Sequence, residues 1–204
     1  AGLVNPLKAA AIISRFKKEL SVDVDFHTHC TPGYGLASSV MAMLHGVDIL
    51  DTNIWWFGGG SAAPALELIY LFANRMGIEV DVNMEAVGKI RNELLNARRE
   101  LKQFDLVDHL PIEFDPLTDT LSEEINAQFD RAISAAKAND EETLLDACHA
   151  IEDYFRFPKP NETVKNAEVP GGMYSNMVAQ LRALQASDPV SYTHLRAHET
   201  LRHL

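Results

Sequence analysis

Basic residues are scarce in this 204-residue chain: 18 Lys and Arg against 29 Asp and Glu leave a formal charge of -11. No cluster of cations interleaved with aromatics offsets that balance, so phosphate backbones and anionic lipid are repelled, and neither nucleic acid nor a membrane surface is an expected partner. Long apolar runs are missing too. None approaches the roughly 20 residues a membrane helix needs, and no charged start followed by an apolar stretch suggests a leader peptide. Cysteine is nearly absent: Cys30 and Cys148 cannot build a disulfide framework, which fits a reducing, cytoplasmic setting. What is present, 47% hydrophobic and 23% charged residues, lies in the ordinary globular range and supports a sizeable core.

An initiator methionine is lacking as well. The opening Ala1-Gly2-Leu3-Val4-Asn5-Pro6 reads as a segment from inside a longer reading frame. At the other end, VSYTHLRAHET over residues 190–200 looks like the one-frame translation of an adapter used in transposon-based sequencing libraries. Residues 189–204 are therefore set aside as non-native, which removes His194, His198 and His203, three of the eight histidines, from any metal site.

Asn5-Pro6 is a helix start, and Ala9, Ile12, Ile13, Phe16 and Leu20 at spacings of three and four predict an apolar stripe on a helix running to about residue 20. Residues 22–28 alternate: Val22, Val24 and Phe26 take one face, Asp23, Asp25, His27 and then His29 the other, as on a strand with one polar side. A second helix is expected over 34–45 with Gly46 as its stop, a short strand over 47–51, a glycine-rich loop over 55–61, a third helix over 64–76 closed by Gly77, and a long fourth helix over 84–104. This helix and strand alternation implies parallel pairing, as in a barrel or doubly wound sheet.

Beyond residue 104 the composition turns acidic and helical, and a boundary is placed near residue 78. Ile125, Phe129 and Ile133 mark one helix and Leu144, Leu145, Cys148, Ile151 and Phe155 another, with Asn139-Asp140 as the turn of a helical hairpin. Glu123, Glu124, Glu141 and Glu142 fall in first turns, where carboxylates complement the helix dipole. A last helix is expected over 175–186 after Pro170-Gly171-Gly172.

His27-Thr28-His29 is the sharpest local feature, because a strand points alternate residues to the same side and aims two imidazoles at one place. Imidazole suits zinc, manganese or cobalt, and catalytic sites leave a ligand position open. A solvated polar face is the competing reading of such a pair. The pair precedes the Pro32-Gly33 loop, where a barrel strand would end at the mouth that carries barrel chemistry.

HTHCTPGYGLA over residues 27–37 followed by GVDILDTN over residues 46–53 resembles the carboxyltransferase domain shared by pyruvate carboxylase, the oxaloacetate decarboxylase alpha subunit and the transcarboxylase core subunit. VPGGMYSNMVAQL over residues 169–181 is similar to the PGG-x-x-[ST]-N segment that follows the barrel in the same enzymes. The likeness covers residues 1–105 and 168–186, which leaves 106–167 as an insertion. It implies an α/β fold: the last βα units of a TIM (β/α)8 barrel over 1–78 and a mostly helical post-barrel region over 79–188.

The same resemblance implies carboxyl transfer between biotin and a 2-oxo acid, pyruvate or oxaloacetate, with His27 and His29 as metal ligands and Ser175 in place of a proton-shuttling threonine. The remaining family ligands, an aspartate and a carbamylated lysine, would lie upstream of Ala1, so the 204 residues by themselves should bind metal poorly and not turn over. Biotin would arrive on a separate carrier, since no lysine here has a Met-Lys-Met context. Implied partners are the biotin carrier with biotin carboxylase or membrane decarboxylase subunits, in a homo-oligomer.

Two other function classes compete with this one. A metal-dependent barrel lyase or condensing enzyme of the hydroxymethylglutaryl-CoA lyase and isopropylmalate synthase type shares the H-x-H pair but lacks the PGG-x-x-S-N segment. A non-catalytic helical interaction module has only the acidic hairpin in its favour. Cys30 reads as a packed thiol on the face opposite His29, His45 and His149 as structural, Trp55, Trp56 and Phe57 as core, and Gly171 and Gly172 as a tight helix entry. Asp51 is ambiguous between a buried network and the site.

Overall fold

The computed structural model describes residues 2–105 and 109–167, together with Met173, Asn176, Met177 and Gln180. Helix α1, Pro6–Glu19, starts as its sequence demands: the Asn5 side chain accepts from the Lys8 amide, Pro6 opens the first turn, and Lys17 and Lys18 sit at the negative end of the dipole. Its packed face is narrower than the expected stripe. Ala9, Ala10 and Ile13 are buried, and two alanines let α1 lie close against the next helix. Ile12, Phe16 and Leu20, expected on the same face, are 41%, 43% and 48% exposed.

Strands β1, Asp25–Phe26, and β2, Ile49–Leu50, pair in parallel with Asp25 opposite Ile49 and Phe26 opposite Leu50. Both are shorter than the expected 22–28 and 47–51. Among the described residues each strand has a single ladder partner, so one edge of each is left unpaired and the ladder ends after two rungs. Val24 is buried as the alternation requires, whereas Val22 is exposed. Asp48 ties the pair to α1: both its oxygens lie 2.6 Å from Lys17 Nζ, and one accepts from the Val24 amide, which together hold its carboxyl below the usual range.

Helix α2, Gly35–Leu44, runs between β1 and β2 and is buried from Gly35 to Met43. A short 3-10 turn, Trp55–Phe57, occupies part of the expected loop, followed by α3, Leu66–Met76, and α4, Met84–Leu101. The hairpin is α5, Glu123–Ala138, and α6, Glu141–Tyr154; Asn139 makes the turn in the left-handed conformation, and Ser122 and Asp140 cap the two helices. A six-residue helix, α7, Glu162–Ala167, follows.

One apolar cluster joins Leu36, Val40 and Met41 of α2 and Phe72 of α3 to Phe129, Ala132, Leu144 and Ile151 of the hairpin. The Phe72 and Phe129 rings lie 4.7 Å apart, and the Arg75 guanidinium sits 4.3 Å above Phe129. Trp55 is fully buried against Phe155 and Phe157, and its indole N–H donates to the Ile112 carbonyl. A buried Arg91 on α4 pairs with Asp115 at 2.7 Å and lies 3.7 Å from the buried Glu67, whose carboxyl is raised by burial. No described helix is long and apolar enough to cross a membrane.

Candidate metal centre

The chain leaves β1 at Phe26 still extended enough to bring His27 and His29 to one side. Thr28, between them, is buried. His27 Nε2 lies 2.9 Å from His29 Nε2, and the two rings meet edge to face with centroids 4.9 Å apart. Each outer nitrogen is held from a different loop. His27 Nδ1 is 2.8 Å from Asp51 Oδ2, just past β2, and His29 Nδ1 is 2.6 Å from the Ser61 carbonyl.

These contacts fix the chemistry of the pair. A carbonyl and a carboxylate only accept, so each Nδ1 must carry the hydrogen, and a neutral ring so anchored presents a bare lone pair at Nε2. Two such lone pairs facing each other at 2.9 Å repel unless a proton or a cation lies between or beside them. Imidazoles that donate Nδ1–H to a carboxylate and to a backbone carbonyl have the outer-shell arrangement of metal-ligating histidines. The donor set therefore fits a divalent ion. Among the described residues no group of three or more His, Cys, Asp or Glu is gathered for a metal, so the pair supplies two ligands and leaves the other positions open. His27 and Asp51 are half exposed, which leaves that side accessible to solvent and small molecules.

Residues 1–94, which contain this whole constellation, match the HMGL-like family model. The likeness to that family is carried by this segment. Over 188 residues, 92% of this chain, the sequence is 23% identical to a pyruvate carboxylase subunit of Methanocaldococcus jannaschii, and the match spans 25% of that protein. A 78-residue stretch, 38% of this chain, is 36% identical to the 4-hydroxy-2-oxovalerate aldolase of Chloroflexus aurantiacus and spans 23% of it. Among solved structures, the carboxyl transferase domain of Rhizobium etli pyruvate carboxylase with pyruvate aligns at a TM-score of 0.45 and 22% identity over 91% of this chain and 23% of that one. The chain thus spans about a quarter of the length of the curated relatives it matches.

Within the HMGL-like segment the structure brings His27, His29 and Asp51 together, and the ambiguity over Asp51 resolves toward the histidines. Cys30 is buried beneath α2, as its place after His29 required. Ser175 falls outside the described residues, as do Gly171 and Gly172. Three participants have no clear motif in the sequence. The Ser61 carbonyl is a backbone group that no motif announces. His149 reaches the site's loops from α6, its Nε2 2.8 Å from the Gly33 carbonyl. Glu152 is buried in α6 with its carboxyl raised to about 8 by burial and by neighbouring Asp153, partly offset by the Cys30 thiol. Its place four residues after Cys148, on a stripe that also holds Ile151 and Phe155, is a signal that would have found it.

Proposed function

We propose that this chain belongs to a metal-dependent carboxyltransferase in which a carboxyl group moves between biotin and a 2-oxo acid such as pyruvate or oxaloacetate. The observation that carries the reading is the pair of converging Nε2 atoms, each with its Nδ1 tied off. It is supported by relatives named as pyruvate carboxylase subunits that match across 92% of the chain, past the HMGL-like segment and through the helical region. In this proposal residues 1–78 are the last βα units of a TIM barrel, 79–188 the post-barrel region with 106–167 inserted, and 189–204 adapter-derived.

His27 and His29, with ligands from the rest of the protein, would hold a zinc, manganese or cobalt ion, which would supply Lewis acidity toward the keto oxygen of a bound 2-oxo acid. The chain's own residues do the rest. Asp51 and the Ser61 carbonyl keep both imidazoles in the Nδ1–H tautomer and prevent them from turning away. Ser175 offers a hydroxyl that donates and accepts, so it can carry a proton between the substrate's methyl carbon and the ureido nitrogen of biotin. Biotin comes on a separate carrier, with biotin carboxylase or membrane decarboxylase subunits as partners in a homo-oligomer.

A second reading keeps the metal and changes the reaction: aldol-type lysis, favoured by the higher identity, 36% over 78 residues, of the aldolase match. The two are separated by assaying the full-length protein with oxaloacetate plus free biotin and, separately, with a 4-hydroxy-2-oxo acid. The carboxyltransferase reading predicts biotin-dependent release of carbon dioxide that Ser175→Ala lowers by about 10²-fold, the low end for a lost proton carrier. Cleavage of the hydroxy-oxo acid without biotin dependence supports the lyase instead.

A further inference from the structure

We propose that the inserted region has a task at the metal centre: segment 148–161 braces the two loops that aim the histidines, with His149 as its positioning residue. The inference rests on the reading that His27 and His29 hold a metal. The first loop, residues 30–33, follows His29 directly and closes on itself through the Gly33 amide donating to the Cys30 carbonyl at 2.8 Å. The second, residues 59–62, carries the Ser61 carbonyl that orients His29. They are stitched together by Cys30 N–H to the Ala62 carbonyl at 2.9 Å and Thr31 Oγ1 to the Gly60 carbonyl at 3.2 Å.

Both loops then seat on the end of α6 and the stretch of chain that follows it. His149 lies with Nε2 2.8 Å from the buried Gly33 carbonyl, and a carbonyl only accepts, so this nitrogen carries the hydrogen. The Asn161 amide donates to the Thr31 carbonyl at 2.8 Å. Contact is close enough to require glycine: a Cβ on Gly33, which has φ +87, would stand 2.8 Å from Pro160 and 2.9 Å from His149 Nε2. On the second loop a Cβ at Gly59 would meet Phe157 at 3.1 Å, and one at Gly60 would meet Pro158 at 3.0 Å. Phe155 and Phe157, at either end of this turn, anchor it on the buried Trp55. Release of His149 therefore leaves the Asn161 bond and the Pro160 contact to hold the first loop to the brace, and through the stitches loosens the carbonyl that holds the His29 ring.

Zinc affinity of the metal-stripped full-length protein, measured by competition with a chromophoric chelator, tests this. His27→Ala is expected to abolish tight binding. His149→Ala is expected to weaken it about tenfold, the low end for residues that support metal ligands from outside. His149→Gln, whose amide N–H reaches the same carbonyl, is expected to restore most of the loss. Ile133→Ala, in the hairpin core on α5, should lower the melting temperature and leave zinc affinity unchanged. His149→Asn, polar but too short to reach, is the second variant if alanine gives no folded protein, and carries the same expectation. Unchanged zinc binding in His27→Ala overturns the metal reading itself. Loss in His27→Ala with wild-type affinity in His149→Ala overturns the brace alone, as does equal weakening in His149→Ala and Ile133→Ala.

Discussion

The helical hairpin and the two-stranded segment before it make opposite use of the same kind of sequence. In α5 and α6 the apolar positions are buried as their spacing demands: Phe129, Ala132, Ile151 and Phe155 are all fully enclosed. In α1, β1 and β2 the spacing is equally clear, yet Ile12, Phe16, Leu20, Val22 and Ile49 stay exposed and the ladder is two rungs long. A helix satisfies its backbone within itself and needs a neighbour on only one face. A parallel strand needs partners on both edges and cover on both faces, so its local signals are written for surroundings that the hairpin does not require.

The largest effect that sharpens this contrast is a pair of truncations in the 204-residue chain. Phe129→Ala removes a ring packed on Phe72 and under Arg75 and should cost about 3–5 kcal/mol. Phe16→Ala on the exposed side of α1 should cost no more than about 0.5 kcal/mol. Chemical denaturation checks both, and equal costs would break the comparison.

Next comes pH. Glu152 is raised from 4.5 to about 8. Below pH 4.5 it is protonated whether the chain is folded or not, and it costs nothing. As pH rises from there to about 8, only the unfolded chain releases the proton, so the hairpin loses stability, on the order of 5 kcal/mol across the full window. The melting temperature should fall over that interval, and Glu152→Gln should flatten the profile. A profile that rises with pH in the wild type contradicts the burial of this carboxyl.

On the metal side, Asp51→Asn in the full-length protein keeps the shape and weakens the acceptor at His27 Nδ1, and should reduce zinc affinity about 10-fold to 100-fold with little change in melting temperature. Retained affinity would show that Asp51 does not orient the ring. The smallest effect is Ser122→Ala at the start of α5, where the hydroxyl accepts from the Ile125 amide over a long 3.4 Å. The expected loss is about 0.5–1 kcal/mol, read as a small shift in the hairpin's unfolding midpoint.

How much of this was legible in the sequence follows the same division. The Asn139-Asp140 turn, the Asn5 cap and the hairpin stripes were readable because each is a local signal whose partner lies within a few residues. The H-x-H pair was readable because alternation along an extended chain needs no tertiary knowledge. The ends of the strands were not, since a ladder's length depends on its neighbours. Neither was the stripe of α1, where Ala9, Ala10 and Ile13 rather than Phe16 meet α2. Ser61 and His149 were out of reach for a different reason: one acts through a backbone carbonyl 32 residues from His29, the other across 116 residues from Gly33. Only the meeting of loops gives either one a role.

X-ray absorption at the metal edge of the full-length protein, wild type and the His27→Ala, His29→Ala double variant, tests the centre most directly. One divalent ion per chain with two imidazole nitrogens in its coordination shell, lost in the double variant, is the predicted result. An ion retained at full stoichiometry without those two nitrogens would contradict the account.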